Sequence, residues 1–133
     1  QRNGTDNTDI WLSYSDNQGD SWSSPVRVNQ DKTQTHQFFP WMAVDPTDGH
    51  IYIVYYDRSK HDDWMTDVVL AVSKDGGQTF KQQTISESPF LPPGDAVFFG
   101  DYNNISAFNG RVRPIWTRWE NGKLSVWTSL INK

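Results

Sequence analysis

Two arginines have a sequence context that suits anion binding. Arg58 follows Asp57 and Arg118 follows Thr117, and each dipeptide ends a segment with the alternating pattern of a β-strand. If the two strands are equivalent, both guanidinium groups approach one face, where two forked donors would suit a carboxylate or a sulfate. The alternative is that each arginine pairs with a nearby aspartate and orders a loop. The sequence thus predicts Asp57, Arg58 and Arg118 as ligand-binding residues.

Tryptophans form a second group of candidates. Trp41 could stack on the face of a sugar ring, and Trp116 and Trp119 could do the same. Most of the seven tryptophans must nevertheless lie in the core, because a small sheet protein that exposed them all would aggregate. Trp41 is the tryptophan that we predict to contact a ligand.

The sequence predicts no metal site and no cofactor. The three histidines lack the spacing of metal ligands. Asp62, Asp63 and Asp67 could bind calcium, but their loop lacks the alternating ligands of known calcium loops. A solvated acidic loop is the alternative for these three aspartates.

Composition narrows the class of protein. The chain of 133 residues has a net charge of −4 without a basic stripe, so nucleic acid is not expected as a partner. No apolar run is long enough to span a membrane, and no membrane partner is expected. The absence of cysteine excludes disulfides and thiolate sites but does not exclude export. Seven Trp, seven Phe and five Tyr, with many β-branched residues, favour an all-β fold.

An internal repeat defines the elements that must position these side chains. Residues 8–15 (Thr-Asp-Ile-Trp-Leu-Ser-Tyr-Ser) return as residues 66–73 (Thr-Asp-Val-Val-Leu-Ala-Val-Ser), and both copies alternate like strands. Each copy runs into the pattern Ser-x-Asp-x-Gly-x-Thr-aromatic, which is complete at 73–80 and degenerate at 15–22. The degenerate copy has Asn17 in place of the aspartate and Ser21 in place of the threonine.

The chemistry of this pattern is that of a tight turn. A short Asp or Asn side chain accepts hydrogen bonds from amides further along the turn, and glycine supplies a backbone angle that other residues disfavour. The closing aromatic is expected to fold beneath the hairpin and become buried. We therefore predict a structural role, and not that of a catalytic acid or calcium ligand, for nine residues: Ser15, Asn17, Gly19, Trp22, Ser73, Asp75, Gly77, Thr79 and Phe80.

A second repeated pair completes the pattern. Residues 38–44 lead through a turn into 51–58, and residues 98–105 lead through a turn into 112–118. Together with the two Ser-x-Asp-x-Gly-x-Thr-aromatic turns, which are called Asp boxes, these segments resemble secreted bacterial BNR-repeat proteins, a group commonly placed with exo-α-sialidases. The resemblance covers nearly the whole chain and implies an all-β, sialidase-type β-propeller.

In the family that the chain resembles, the Asp box lies between the third and fourth strands of a four-stranded blade. With the strands of a blade lettered A to D in chain order, the resemblance implies a partial propeller of three pieces. Residues 1–30 supply strands C and D of one blade (9–15, 22–28), and residues 31–90 form a complete blade (38–44, 51–57, 67–73, 80–86). Residues 91–133 supply strands A to C of the last blade (98–107, 112–118, 123–130). We expect a bulge beside Pro114, because proline removes a ladder hydrogen bond. With the remaining blades and the closing strand supplied by a longer chain, these 133 residues alone are expected to be poorly soluble.

Similarity to sialidases would imply a retaining glycosidase with a tyrosine nucleophile activated by a glutamate, an aspartic acid as proton donor, and three arginines around the substrate carboxylate. Tyr102, preceded by Asp101, matches the nucleophile segment by position, and these two residues are the catalytic candidates. A phenol is a poor nucleophile unless a carboxylate removes its proton, and Glu87 and Glu120 are the nearest glutamates by number. The alternative for Tyr102 is packing or a hydrogen bond at the propeller axis.

The resemblance implies the C-terminal part of a secreted glycoside hydrolase, extracellular or periplasmic, that removes terminal acidic sugars from glycans. The alternatives are a non-catalytic glycan-binding or adhesion propeller and a purely structural propeller. The expected partners are a glycan or acidic sugar and the other blades of the same propeller. No turnover is expected from these 133 residues alone, because the usual segments for the first arginine and the aspartic acid do not occur in them.

Overall fold

The computed structural model describes residues 8–61, 64–94, 97, 99 and 102–132. Every regular element within these ranges is a β-strand, which confirms the all-β prediction. The strands are β1 (Trp11–Leu12), β2 (Val26–Arg27), β3 (Gln37–Val44), β4 (Ile51–Asp57), β5 (Asp67–Ser73), β6 (Lys81–Thr84), β7 (Asn104–Phe108), β8 (Arg111–Glu120), β9 (Lys123–Thr128) and β10 (Ile131–Asn132). Over the same ranges, no helix is long and apolar enough to cross a membrane.

The strands pair antiparallel in three sheets. In the central sheet, β3, β4, β5 and β6 follow one another in chain order. The C-terminal sheet contains β7 and β8, with β9 and β10 both paired to the far side of β8. The N-terminal sheet is the pair β1 and β2. Within the described ranges these three sheets do not form a closed ring of blades, so the propeller arrangement stays a prediction.

The two middle strands of the central sheet, β4 and β5, are buried on both faces, as strands packed between two layers must be. Alternation along β4 turns Ile53 and Tyr55 towards Ile10 and Val28 of the N-terminal region. The intervening side chains, including Val54 and Tyr56, face the C-terminal sheet and form a second core with the following residues: Val68, Leu70, Phe90, Ile105, Val112 and Trp116. The three sheets are therefore stacked, with the central sheet in the middle.

Two polar contacts fix the C-terminal sheet on the central sheet. The Tyr56 hydroxyl donates to the Thr117 carbonyl at 2.6 Å and accepts from the Thr117 amide at 3.1 Å. At the other end, the Asp45 carboxylate accepts from the amides of Asn109 at 3.2 Å and Gly110 at 2.8 Å. The Gly110 amide is the main cause of a pKa of Asp45 far below its ordinary value. Both ends of the interface between the sheets are thus hydrogen-bonded.

The expected bulge beside Pro114 is wrong. Thr128 pairs with Ile115 and Ile131 pairs with Val112, so equal numbers of residues separate the two pairs and none is inserted. Pairing stops between β9 and β10 because proline has no N–H to donate. The Pro114 carbonyl instead accepts the Thr128 hydroxyl at 2.8 Å.

Candidate functional site

The complete box turn at 73–80 is held by its own side chains. The Ser73 hydroxyl donates to Asp75 Oδ1 at 2.7 Å and accepts the Gly77 amide at 2.9 Å. Asp75 also accepts the Thr79 amide at 2.9 Å and the Thr79 hydroxyl. Gly77 has a φ of +88°, and a Cβ there would lie 2.7 Å from the Leu12 side chain, so another residue would be strained. The hydroxyl and carboxylate groups of the turn are thus hydrogen-bonded within the turn.

The degenerate box at 15–22 makes the same turn with an amide. Asn17 Oδ1 accepts from the Ser15 hydroxyl at 2.8 Å and the Ser21 amide at 3.0 Å, and its Nδ2 donates to the Ser21 hydroxyl at 2.8 Å. The Ser15 hydroxyl also accepts the amide of Gly19 at 2.9 Å. An asparagine can therefore replace the aspartate of the box without loss of the turn.

Both closing aromatics were expected to be buried, but only that of the complete box is. Phe80 is only 3 % exposed because the N-terminal sheet region covers it, whereas Trp22 is 66 % exposed. Trp22 lines an open groove with Met42 and Val44 of β3. The expected burial of Trp22 is wrong in this structure, because burial of the closing aromatic depends on a neighbouring sheet and not on the turn.

Replacing Asp75 by asparagine is expected to remove a pH-dependent contribution to stability. The hydroxyl and amide of Thr79, with the Ser73 hydroxyl, lower the pKa of Asp75 from 3.8 to about 2. Because the folded protein lowers this pKa below that of the unfolded chain, the contribution is complete above about pH 4 and disappears as the pH falls towards 2.

The measurement is the melting temperature of the full-length protein and of Asp75→Asn from about pH 2 to pH 6. The variant is expected to melt at a lower temperature near pH 6, and the two curves should converge near pH 2. Other carboxylates titrate alike in both proteins and cancel in the comparison. A difference that stayed constant across this range would show that ionisation of Asp75 contributes nothing.

Asp57 was predicted to contact a ligand, but its carboxylate is hydrogen-bonded to other residues of the chain. It is buried at the end of β4, where Oδ1 accepts Gln37 Nε2 at 3.0 Å and the Ser59 amide at 2.9 Å. Its Oδ2 accepts the Ser59 hydroxyl at 2.8 Å. These contacts shape the loop that begins with Arg58, so Asp57 positions its neighbour.

Arg58 lies just beyond the end of β4, with its guanidinium over two aromatic rings. Its guanidinium carbon is 4.8 Å from the centre of the Phe38 ring and 4.7 Å from that of the Trp64 ring. Nε donates to the Thr66 hydroxyl at 3.2 Å. In the described part of the chain, the two terminal nitrogens have no hydrogen-bond or ion-pair partner, and burial lowers the pKa of Arg58. Arg58 is therefore a preorganised cation with its donors available.

Arg118 is placed differently, because β8 continues to Glu120 and contains it. Its side chain points from β8 towards the central sheet, as do those of Val112 and Trp116. The terminal nitrogens donate to the carbonyl and hydroxyl of Ser88 at 3.2 and 2.8 Å and to Glu120 at 2.9 Å. The two arginines thus do not form one anion-binding pair, because the terminal nitrogens of Arg118 already donate to Ser88 and Glu120.

Each of these arginines nevertheless lines a pocket, and the two pockets share the segment 91–94. The first, of about 420 Å³, is lined by Arg58, Trp64 and the segment 91–94 (Leu-Pro-Pro-Gly), and is called the Arg58 pocket below. The second, of about 440 Å³, is lined by the same segment, Met65, Pro89, Phe90 and residues 118–121, and is called the Glu120 pocket. Sequence reasoning missed Trp64 and the segment 91–94, although Pro-Pro-Gly is a clear loop signal.

The other candidates lie around the start of β3 and β7. Trp41 is exposed on β3, beyond a register shift that includes Phe39, a residue with a φ of +51°. Nδ2 of Asn103 donates to the Phe39 carbonyl at 2.9 Å, which joins the two strand starts. Tyr102 is 74 % exposed, and packing or a hydrogen bond at a propeller axis stays a prediction. Asp101 lies outside the described residues.

The two glutamates considered as bases and the acidic loop can also be placed. Glu120 binds Arg118, and Glu87 lies exposed in the loop after β6. Asp67 is buried, with His61 Nε2 at 3.1 Å, whereas Asp62 and Asp63 lie outside the described residues. Across the ranges that the structure describes, no three His, Asp or Glu side chains come together as a metal site.

Comparison with known proteins agrees with the sheet architecture and the box turns. A search of curated proteins found no match. A family model described as the BNR repeat-like domain matches residues 1–127, a range that contains both box turns and both pockets. The chain belongs to the BNR repeat-like domain family.

Proposed function

We propose that this chain binds the acidic group of a sugar in the Arg58 pocket, as part of a sialidase-like, secreted glycan-recognising protein. The observation that carries the proposal is the Arg58 guanidinium, which contacts the Phe38 and Trp64 rings and has both terminal nitrogens available among the described residues. A guanidinium edge presents two parallel donors, which match the two oxygens of a carboxylate or sulfate.

Preorganisation supports this function. Contacts with the Phe38 and Trp64 rings and the hydrogen bond to the Thr66 hydroxyl orient the guanidinium before a ligand arrives. Less side-chain freedom is then lost on binding. The Trp64 ring is largely exposed and, with Leu91 and the two prolines, offers apolar surface beside the charge, as sugar-binding pockets require.

Hydrolysis of a terminal acidic sugar is the enzymatic form of the proposal. It is favoured by the exposure of Tyr102, whose side chain is accessible to a ligand. It also needs a carboxylate to accept the Tyr102 proton and a proton donor for the leaving group. A non-catalytic glycan-binding or adhesion protein needs only the Arg58 pocket, and the geometry supports binding best.

Calorimetry of the full-length protein with N-acetylneuraminic acid and with its methyl ester tests the proposal. The acid is expected to bind at least about tenfold more tightly, because the ester keeps the shape but loses the charge. Equal affinities would contradict it. Release of a fluorescent alcohol from an N-acetylneuraminic acid glycoside then separates the two forms: turnover supports the hydrolase, and binding without turnover supports the recognition protein.

A further inference from the structure

We infer that Asn121 is a site of spontaneous deamidation in the folded protein, and that Asp45 protects Asn109 from the same reaction. The modification is independent of ligand binding in the Arg58 pocket. Two turns of the molecule share one sequence and one backbone geometry but differ in what binds their amides, and this difference decides which asparagine reacts.

The dipeptide Asn-Gly is the sequence that deamidates most readily. It occurs at 3–4, 109–110 and 121–122, and the first copy lies outside the described residues. Glycine has no side chain to shield its nitrogen, which can attack the side-chain carbonyl carbon of the asparagine. A bond forms between this nitrogen and Cγ, the Cγ–Nδ2 bond breaks, and the proton lost from the glycine amide is replaced on the nitrogen that leaves as ammonia. Water then opens the cyclic imide to aspartate or isoaspartate.

The two described copies occupy equivalent turns. Asn109 and Gly110 join β7 to β8, and Asn121 and Gly122 join β8 to β9, each as a two-residue turn between paired strands. Their φ angles are +49° and +73° in the first turn and +51° and +75° in the second. Both are therefore hairpin turns of one type, in which asparagine and glycine are the favoured residues. The local backbone gives both asparagines the same starting geometry.

A buried carboxylate binds the first turn. Asp45 accepts the amide of Asn109 at 3.2 Å and that of Gly110 at 2.8 Å. Asp45 is itself fully buried and accepts the amide and hydroxyl of Thr47 at 3.0 and 2.7 Å, so it cannot move aside freely.

These hydrogen bonds oppose deamidation of Asn109 in two ways. The Gly110 nitrogen must lose its proton before it attacks, and the Asp45 carboxylate would then face a second negative charge. Cyclisation also requires the turn to leave its hairpin geometry, and both hydrogen bonds would have to break for it to do so. Asp45 therefore lowers the reactivity of the attacking nitrogen and the frequency with which the turn opens.

The second turn has no such partner. Within the described ranges, no side chain accepts a hydrogen bond from the amide of Asn121 or Gly122. Both residues are exposed, and a Cβ placed on Gly122 would have no atom within 4 Å. The following strand, β9, pairs only with β8 among the described strands, and most of its side chains are exposed. The turn at 121–122 can therefore open locally and is accessible to water.

The modification changes the end of this hairpin. Each conversion places a new carboxylate beside that of Glu120. A two-residue turn holds Glu120 opposite Lys123, and isoaspartate adds one atom to the backbone between them. Deamidation of Asn121 therefore weakens the pairing of β8 with β9 beside the turn.

The test is peptide mapping by mass spectrometry of the full-length protein during storage at about pH 9 and about 37 °C. Replacement of –NH₂ by –OH at each asparagine is followed with time. Asn121 is expected to convert at least about tenfold faster than Asn109. In urea concentrated enough to unfold the protein, the two rates should become similar because both asparagines precede glycine. Equal rates in the folded protein, or an undiminished difference in urea, would overturn the inference.

Two variants test the protection by Asp45. Asp45→Asn keeps an oxygen acceptor but loses the charge, and it should accelerate conversion of Asn109 about threefold to tenfold. Asp45→Ala removes the acceptor and should accelerate it further. Asn121 is the internal control, since general loosening of the fold would accelerate both conversions, whereas release of one turn accelerates only that of Asn109. An unchanged rate at Asn109 in Asp45→Asn, or an equal acceleration at both sites, would show that Asp45 does not protect this turn.

Discussion

Replacing Phe80 by alanine is expected to lower the free energy of unfolding by about 3–5 kcal/mol. Phe80 closes the complete box turn, and its ring is buried with Ile10, Val28 and Ile53 between the N-terminal region and the central sheet. Alanine removes the apolar contacts and leaves a cavity that the paired strands on either side cannot fill without distortion.

Trp22→Ala is the matched control, since Trp22 occupies the same position in the degenerate box but is exposed. It should cost about 1 kcal/mol or less. Urea unfolding of the full-length protein followed by circular dichroism measures both changes without relying on tryptophan fluorescence. Equal losses of unfolding free energy in the two variants would mean that the box itself, and not the neighbouring sheet, determines how much its closing aromatic stabilises the fold.

The box turns illustrate what the sequence could predict. Asp75, Thr79 and Ser73 lie within seven residues of one another, and their hydrogen bonds depend only on that spacing. Short-range chemistry of this kind can be inferred without knowledge of the rest of the fold. The alternating strands could be predicted for the same reason, and the all-β class follows from them.

Arg118 illustrates what could not be predicted. Its position resembled that of Arg58 because each arginine ends an alternating segment, but β4 ends at Asp57 and β8 continues to Glu120. A strand turns successive side chains to opposite faces, so the surroundings of a residue depend on where the strand ends and how it pairs. Those depend on contacts between distant segments, such as the two hydrogen bonds between the Tyr56 hydroxyl and the Thr117 backbone.

The two pockets could not be predicted from the sequence for a related reason. The Arg58 pocket combines Arg58 and Trp64 with the segment 91–94, and the Glu120 pocket adds residues 118–121. The Glu120 pocket forms only where the end of β8 packs beside the segment 91–94, which is distant from it in sequence. The exposed carboxylate of Glu120 depends on the same packing, because the sheet interface buries Arg118.

Replacing Arg58 by methionine is expected to weaken binding of an acidic sugar by about 2–3 kcal/mol, or about 30-fold to 150-fold. Methionine keeps an unbranched chain beside Phe38 and Trp64 but removes the charge and the donors. The methyl ester of the same sugar should lose little, because it has no anion for the guanidinium to bind. Calorimetry with acid and ester in parallel measures the difference directly.

Arg58→Lys and Arg118→Met complete the experiment. Lysine retains the charge without the flat fork, so it should recover only part of the lost affinity. Arg118→Met should instead lower the melting temperature, because it leaves Ser88 and Glu120 without their shared donor. Selective loss of the acidic ligand in Arg58→Met, with destabilisation confined to Arg118→Met, is the expected result. Equal losses of acid and ester in Arg58→Met would indicate a distorted pocket and would remove the assignment of Arg58 as the anion-binding residue.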